Sequence, residues 1–258
     1  MRIAIDVTMD YQLAGAETVL LTLDAAETDG QKVLQSALDI ADATLHRIPG
    51  EGGTGARVCA SVTSDRLKLR YSAVVDVTRS EIMLDALPQA GLGALPPEAL
   101  SCLRPSRFCQ SDLFVPFMGR RFGHLKGGAK VIAIRDWVKA EIAYVSGSST
   151  PTTTAMETFV SREGVCRDAT HLFCALARAA GIPARYTSVY GADVHPPDFH
   201  AVAQVWLDSA WHFIDPTGMV AADGVVIIGC GRDAADVAFM ETAGNAYVVS
   251  QNVRVTRQ

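Results

Sequence analysis

One helical segment in the second half of the chain constrains the fold most strongly. Apolar residues recur at three- and four-residue spacing through residues 169–180, Gly181 ends the segment, and Pro183 prevents the helix from continuing. Stretches rich in β-branched and aromatic residues follow at 185–190 and 201–207. Because an apolar helix must be covered by other elements, this order predicts an α+β fold.

The first part of the chain has the alternating pattern of β-strands. Val, Ile, Leu and Thr alternate there with polar residues, and turn residues separate the segments at 28–30 and 49–53. Short strands at this spacing predict an antiparallel β-sandwich or a small β-barrel. The predicted strands cover residues 2–8, 18–23, 32–40, 57–63 and 66–77.

A change of pattern near residues 87–105 predicts a domain boundary, because this stretch is rich in Pro, Gly and Ala and has no clear period. We therefore expect an N-terminal β-rich domain at 1–100 and a second domain at 101–258, with helices packed on an antiparallel sheet. The second domain is predicted to contain helices at 127–144, 150–162 and 166–180 and strands at 185–190, 201–207, 211–214, 225–228 and 247–255.

Cys166 stands at the first turn of the predicted helix 166–180. The unpaired N–H groups and the positive end of the helix dipole favour a thiolate at that point, and Gly164 lets the chain turn sharply before it. A buried cysteine more often serves only in packing, and Cys174, in the middle of the same helix, fits that role. The position of Cys166 predicts a reactive thiol.

His200 and Asp215 are predicted to lie side by side. His200 begins one predicted strand, Asp215 ends the next, and a turn at 208–210 folds the two into a hairpin. The carboxylate can then accept a hydrogen bond from the imidazole and fix its tautomer. Alone, either residue is more often structural. Together with Cys166 they are the three groups that a thiol nucleophile needs.

Several motifs surround these residues: PSRFCQSD at 105–112, SREGVCRD at 161–168, AAGIPARY at 179–186, FHA at 199–201 and FIDPT at 213–217. In these motifs the chain resembles the transglutaminase-like superfamily, and in particular bacterial members in which a β-rich domain precedes the papain-like core. The resemblance covers about residues 105–220. It implies a Cys-His-Asp triad with Cys166 as nucleophile, His200 as general base and acid, and Asp215 as the orienting carboxylate.

The resemblance further implies a thiol-dependent hydrolase, such as a cysteine protease or amidase, or an acyltransferase that acts on peptides or proteins through an acyl-enzyme. Water as acceptor gives hydrolysis and an amine gives transglutaminase activity; we expect hydrolysis, because transfer needs a site that excludes water. A catalytically silent module that binds a peptide or partner is the alternative from another class. Asp168 is expected to cap or brace the helix, and His171 to be structural.

The oxyanion formed in such a reaction needs hydrogen-bond donors. The backbone N–H of Cys166 is one, and Trp137, Tyr144 and Gln110 are candidates for the second. The cleft is predicted to be lined by loops at 190–199 and 113–123, the second of which contains Phe114 and Phe117.

Composition excludes several other classes. The net charge of −5 and the lack of a basic block argue against nucleic-acid binding, and no apolar run is long enough to cross a bilayer. Six cysteines without a CxxC pair are typical of a reducing compartment, so we expect the cytoplasm. The ligand spacing of zinc and calcium sites is missing, and we expect no metal or other cofactor. The sequence leaves the oligomeric state open.

Overall fold

The computed structural model describes residues 1–258, apart from the side chain of Glu51. Its strands are β1 (Arg2–Gln12), β2 (Glu17–Leu21), β3 (Gln31–Ile40), β4 (Ala43–Pro49), β5 (Ala56–Val62), β6 (Arg66–Val77), β7 (Ala143–Tyr144), β8 (Glu163–Gly164), β9 (Ala184–Gly191), β10 (Phe199–Leu207), β11 (Ala210–Ile214), β12 (Val225–Gly231), β13 (Met240–Glu241) and β14 (Tyr247–Arg257). Its α-helices are α1 (Pro97–Ser101), α2 (Val115–Phe122), α3 (Gly127–Glu141), α4 (Ala155–Ser161) and α5 (Cys166–Ala179).

Two antiparallel sheets form a β-sandwich. Their strand orders are β14-β1-β6-β3 and β13-β2-β5-β4. Alternate side chains of β1 are buried against those of β2, β5 and β6, as the two-residue period of a strand requires. The structure therefore confirms the predicted sandwich, and it adds β4, a strand that the sequence pattern did not predict.

A third antiparallel sheet, β11-β10-β9-β12, carries the apolar helix. α5 packs against β9 and β10, with Leu172, Phe173 and Leu176 fully buried, and α2, α3 and α4 surround it. This arrangement confirms the predicted α+β fold with helices on an antiparallel sheet. None of the helices in the described chain is long and apolar enough to span a membrane.

The two ends of the sequence meet in the sandwich. β14 pairs with β1 from Ile3↔Arg257 to Gln12↔Tyr247, and β13 pairs with β2. Two segments from the predicted second domain, 101–258, thus complete the sheets of the first. The division at residue 100 stays a prediction about independent domains.

Buried polar side chains join the sandwich to the third sheet. The Gln31 amide donates to the carbonyls of Ala26 (2.6 Å) and Ile227 (3.0 Å), and its oxygen accepts from the Ile227 N–H (2.7 Å). Arg79 donates to Gln31 Oε1 (3.1 Å) and to the carbonyl of Val225. The side chain of Gln31 therefore pairs with the backbone of β12 in the way that a neighbouring strand would.

Candidate active site

Cys166 is the first residue of α5, and its neighbours fix that end of the helix. The Val165 N–H donates to Asp168 Oδ2 (2.9 Å), and the buried Asp168 carboxylate pairs with Arg167 (2.9 Å). A Cβ on Gly164 would lie 2.8 Å from the Asp168 Cβ, so only glycine fits there. The predicted bracing role of Asp168 is confirmed, and the half-buried Cys166 thiol lies at the positive end of the helix dipole.

The structure brings His200 and Asp215 into contact. His200 Nε2 lies 3.1 Å from Asp215 Oδ2, and both side chains are almost completely buried. A carboxylate can only accept, so Nε2 carries the proton. Nδ1 is then available on the other side of the ring; it is buried and has no hydrogen-bond partner in the part of the chain that the structure describes.

The imidazole is electrostatically tuned by its two neighbours. Burial alone would lower the pKa of His200, but interactions with Asp215 and with the Cys166 thiol outweigh burial and raise its pKa to about 9. The imidazolium form is therefore favoured at neutral pH. A positively charged ring beside the thiol is the condition that stabilises a thiolate.

Asp215 is held by a dense set of donors. Besides His200, Oδ2 accepts the N–H groups of Met219 (2.9 Å) and Val220 (3.0 Å), and Oδ1 accepts the N–H (2.8 Å) and hydroxyl (2.7 Å) of Thr217. Burial opposes the ionised form, but His200 and these donors prevail and lower the pKa of Asp215. Asp215 therefore stays a carboxylate whose position is fixed from five directions.

Tyr144 lies beside the thiol. β7 pairs in parallel with β8, so Tyr144 is opposite Gly164, two residues before Cys166. The phenol is close enough to Cys166 for the backbone N–H and the thiol of that residue to act on its pKa. Partial burial and the charge of a Cys166 thiolate raise the pKa of Tyr144 to about 12, so the phenol keeps its proton and can donate it in a hydrogen bond.

The other two candidate donors are placed differently. Trp137 packs against Phe117 and Phe159, with ring centroids 5.1 and 5.6 Å away, and Arg162 covers its ring. Gln110 makes no hydrogen bond with Cys166 among the described residues, and its Oε1 is buried without a partner. Of the three candidates, Tyr144 is the one that the fold brings to Cys166.

One predicted cleft loop is wrong. Residues 113–123 belong to a 3-10 turn and to α2, and Phe114 is buried in the core beneath α5. Pro116 lies in the first turn of α2, where proline is tolerated although it breaks helix interiors. The other predicted loop connects β9 to β10, and His195 and Asp198 are exposed in it.

Tyr186 is a neighbour of the thiol that the sequence did not reveal. It packs in the same small apolar cluster as Cys166, and its ring lies 5.1 Å from that of His171, which stacks on Phe108. Burial lowers the pKa of His171 to about 3, so this histidine is neutral and structural, as predicted. Tyr186 lies on the side of β9 that faces α5, and this position can be recognised only from the strand register.

Cys, His and Asp side chains can also bind metal ions. Within the described residues, no group of three His, Cys, Asp or Glu side chains is arranged to hold a metal ion. The Asp215 oxygens, which could act as ligands, already accept five hydrogen bonds.

Comparisons with known proteins place this geometry in a family. A model of the transglutaminase-like superfamily matches residues 120–216, the segment that contains Cys166, His200 and Asp215. The crystal structure of a candidate cysteine protease from Cytophaga hutchinsonii superimposes with a TM-score of 0.91 at 32% sequence identity, and the match covers 99% of this chain and 90% of that one.

Two further relatives are uncharacterised mycobacterial proteins. One from Mycobacterium leprae is 29% identical over 149 residues, which is 53% of this chain and 52% of that protein. One from Mycobacterium tuberculosis is 35% identical over 130 residues, which is 45% of this chain and 41% of that protein. The chain thus spans about half the length, or less, of these curated relatives. Because the Cytophaga hutchinsonii protein is similar along nearly all of both chains and the family model covers the three site residues, the chain belongs to the transglutaminase-like superfamily.

Proposed function

We propose that this protein is a cysteine-dependent enzyme that acts on amide bonds of peptides or proteins through an acyl-enzyme, with hydrolysis favoured. The observation that carries the proposal is the 3.1 Å hydrogen bond between His200 and Asp215, next to a thiol at the start of α5. Cys166 is the nucleophile, His200 the general base and acid, and Asp215 the group that orients the imidazole.

Acylation begins with the Cys166 proton on His200 Nδ1, since Nε2 is engaged with Asp215. The Cys166 sulfur attacks the amide carbonyl carbon, and the C=O π electrons move to the oxygen. When the C–N bond breaks, the imidazolium gives its proton to the leaving nitrogen, and a thioester remains. An imidazolium with a pKa near 9 is protonated at neutral pH and so can supply that proton.

The developing oxyanion requires two donors. The Cys166 N–H is one, and the Tyr144 hydroxyl, whose pKa is affected by that N–H and by the thiol, is the second in this proposal. Tyr144 must turn slightly so that its proton faces the substrate oxygen. Deacylation repeats the path with water, from which His200 takes a proton, and the products are a free acid and the regenerated thiol.

Hydrolysis is favoured over amine transfer because the three tryptophans are already engaged in packing. Trp206 and Trp211 contact each other edge to face at 5.3 Å in the β10–β11 hairpin, and Trp137 belongs to the aromatic cluster with Phe117 and Phe159. These side chains are therefore not available to wall a dry amine channel.

Product analysis tests the proposal. The protein is incubated with glutamine-containing peptides, with and without a primary amine, and free acids, cleaved peptides and amide adducts are quantified by mass spectrometry. We expect hydrolytic products to predominate and the variant Cys166→Ala to form none while keeping its fold. Predominant amide product at modest amine concentration would instead identify a transglutaminase.

Cys59→Ala is the matched control, because Cys59 is also a half-buried free thiol but lies on β5 in the sandwich. This variant should keep full activity. Turnover retained by Cys166→Ala would show that the nucleophile is assigned wrongly.

The cytoplasm is the proposed compartment. All six cysteines of the described chain are free thiols, which is the state that a reducing environment maintains.

A further inference from the structure

Asp198 stands on the approach to the candidate active site. It is the last residue before β10 and lies two positions before His200, and its side chain is exposed. After partial burial and the neighbouring Cys166, the negative charge of Asp198 is a further contribution that raises the pKa of Tyr144. The Asp198 carboxylate is thus within electrostatic reach of the side chain that contacts the thiol.

The sandwich holds this carboxylate in place. The Tyr11 hydroxyl donates to Gln251 Oε1 (2.7 Å), and Gln251 Nε2 donates to Asp198 Oδ1 (3.0 Å). The Phe199 N–H donates to the same oxygen (2.8 Å). Oδ2 makes no hydrogen bond with any of the described residues, so one oxygen is anchored and the other is available to a ligand.

The charge of Asp198 is not balanced by a neighbouring side chain. Elsewhere in the molecule, several aspartates pair with arginines, as Asp10 does with Arg66 and Asp6 with Arg70, both at 2.7 Å. The donors to Asp198 are both neutral, and no Lys or Arg among the described residues forms a salt bridge with it. A fixed carboxylate without a cation fits a positive charge that arrives with the substrate.

We propose that Asp198 is a specificity-determining residue that selects peptides with a positively charged group, either a Lys or Arg side chain or a free α-amino group, beside the reactive amide. This inference rests on the proposed function, because it assumes that Cys166 attacks a peptide. Tyr11 and Gln251 act as positioning residues, which gives the sandwich a part in the choice of substrate.

Labelling of Cys166 by peptidyl chloromethyl ketones tests the inference. The probes carry Lys, norleucine or Glu at either of the two positions before the reactive group, and each is made with an acetylated and with a free amino terminus. We expect the Lys or free-amine probes to react about fivefold faster than the neutral ones, and the Glu probes to react more slowly. The acetylated and free forms show which source of positive charge is selected.

Variants assign this preference to the carboxylate. Asp198→Asn should abolish it, Asp198→Lys should reverse it, and Gln251→Leu should weaken it. Asp208→Asn is the matched control, because Asp208 is exposed and directly follows the far end of β10; it should keep the preference of the wild type.

Iodoacetamide separates failure of this inference from failure of the proposed function. The rate of each peptidyl probe is divided by the rate of this small neutral reagent with the same variant, which removes any general change in the reactivity of Cys166 from the comparison. Normal iodoacetamide labelling combined with equal rates for Lys and Glu probes, or with an unchanged preference in Asp198→Asn, overturns the role of Asp198. Failure of iodoacetamide to label wild-type Cys166 overturns the nucleophile, and the inference with it.

Discussion

At the scale of single residues, the surroundings of Asp215 suit a carboxylate and do not suit an amide. Each of its oxygens faces N–H or O–H donors, so the NH₂ group of an asparagine would meet a donor in either orientation. Asp215→Asn should therefore lower kcat/KM for an amide substrate by roughly a thousandfold or more; the same exchange in a serine protease costs about ten-thousand-fold in kcat.

The pH profile of kcat/KM shows whether Asp215→Asn acts through the charge next to His200 or only by disturbing the structure of the site. In the wild type the imidazolium is lost as the pH rises through about 9, and acylation should slow there because the leaving nitrogen loses its proton donor. Without the carboxylate charge the pKa of His200 falls, so in Asp215→Asn the alkaline limit should move to lower pH. Profiles of kcat/KM against pH measure the shift, with Asp208→Asn as control. An alkaline limit that stays in place in Asp215→Asn would contradict an ion pair between His200 and Asp215.

The sequence predicts the positions of Cys166, His200 and Asp215 because local patterns place them. A helix start and a hairpin with a short turn determine where such side chains lie. Tyr144 could not be separated from Trp137 and Gln110 in this way. Its contact with Cys166 depends on the parallel pairing of β7 with β8, two strands of two residues each, and such short segments leave no periodic signal.

At the scale of elements, one buried amide contributes several hydrogen bonds to the link between the sandwich and β12. Gln31 is 6% exposed and exchanges two hydrogen bonds with the backbone of Ile227. Gln31→Leu leaves buried polar groups without partners, at roughly 1–3 kcal/mol for each group. We expect the free energy of unfolding to fall by about 3 kcal/mol, measured by denaturant titration.

Gln35→Leu provides the comparison, because Gln35 lies on the same strand, β3, with its side chain exposed. It should change the free energy of unfolding by no more than about 0.5 kcal/mol. Equal effects of the two substitutions would mean that the Gln31 amide does not stabilise the joint.

Elements with a sustained period could be predicted closely from the sequence, and two elements without one were missed. β6 and α5 were predicted within one residue of their observed ends, because a two-residue or a 3.6-residue period is sustained along them. β4 was missed because its side chains are exposed or only half-buried and show no clear apolar face. α2 was missed because it is eight residues long and contains both Pro116 and Gly119.

At the scale of the whole molecule, non-covalent contacts should hold the two parts of the chain together even when the segment between β6 and α1 is cut. Met83 and Leu92 are strongly exposed there. A chain cut at an engineered protease site next to Leu92 should remain one particle in size-exclusion chromatography under native conditions. The second fragment contributes β13 and β14 to the sandwich, and Ile227 binds Gln31.

The same cut in a chain that lacks residues 247–258 gives the contrast. Without β14, β1 loses one of its two neighbouring strands, and the fragments should separate or aggregate. Separation of the fragments in the full-length cut chain would support two independent domains divided near residue 100.

The meeting of β1 and β14 also bears on how the protein is made. During translation β1 and β6 can pair early, but the second edge of β1 stays open until the segment through Arg257 has left the ribosome. An open strand edge is a template for association with other chains. Each nascent chain therefore carries an unpaired strand edge while the segment that contains Cys166, His200 and Asp215 is synthesised. Ribosomes that stall before residue 247 should release aggregation-prone products that depend on chaperones.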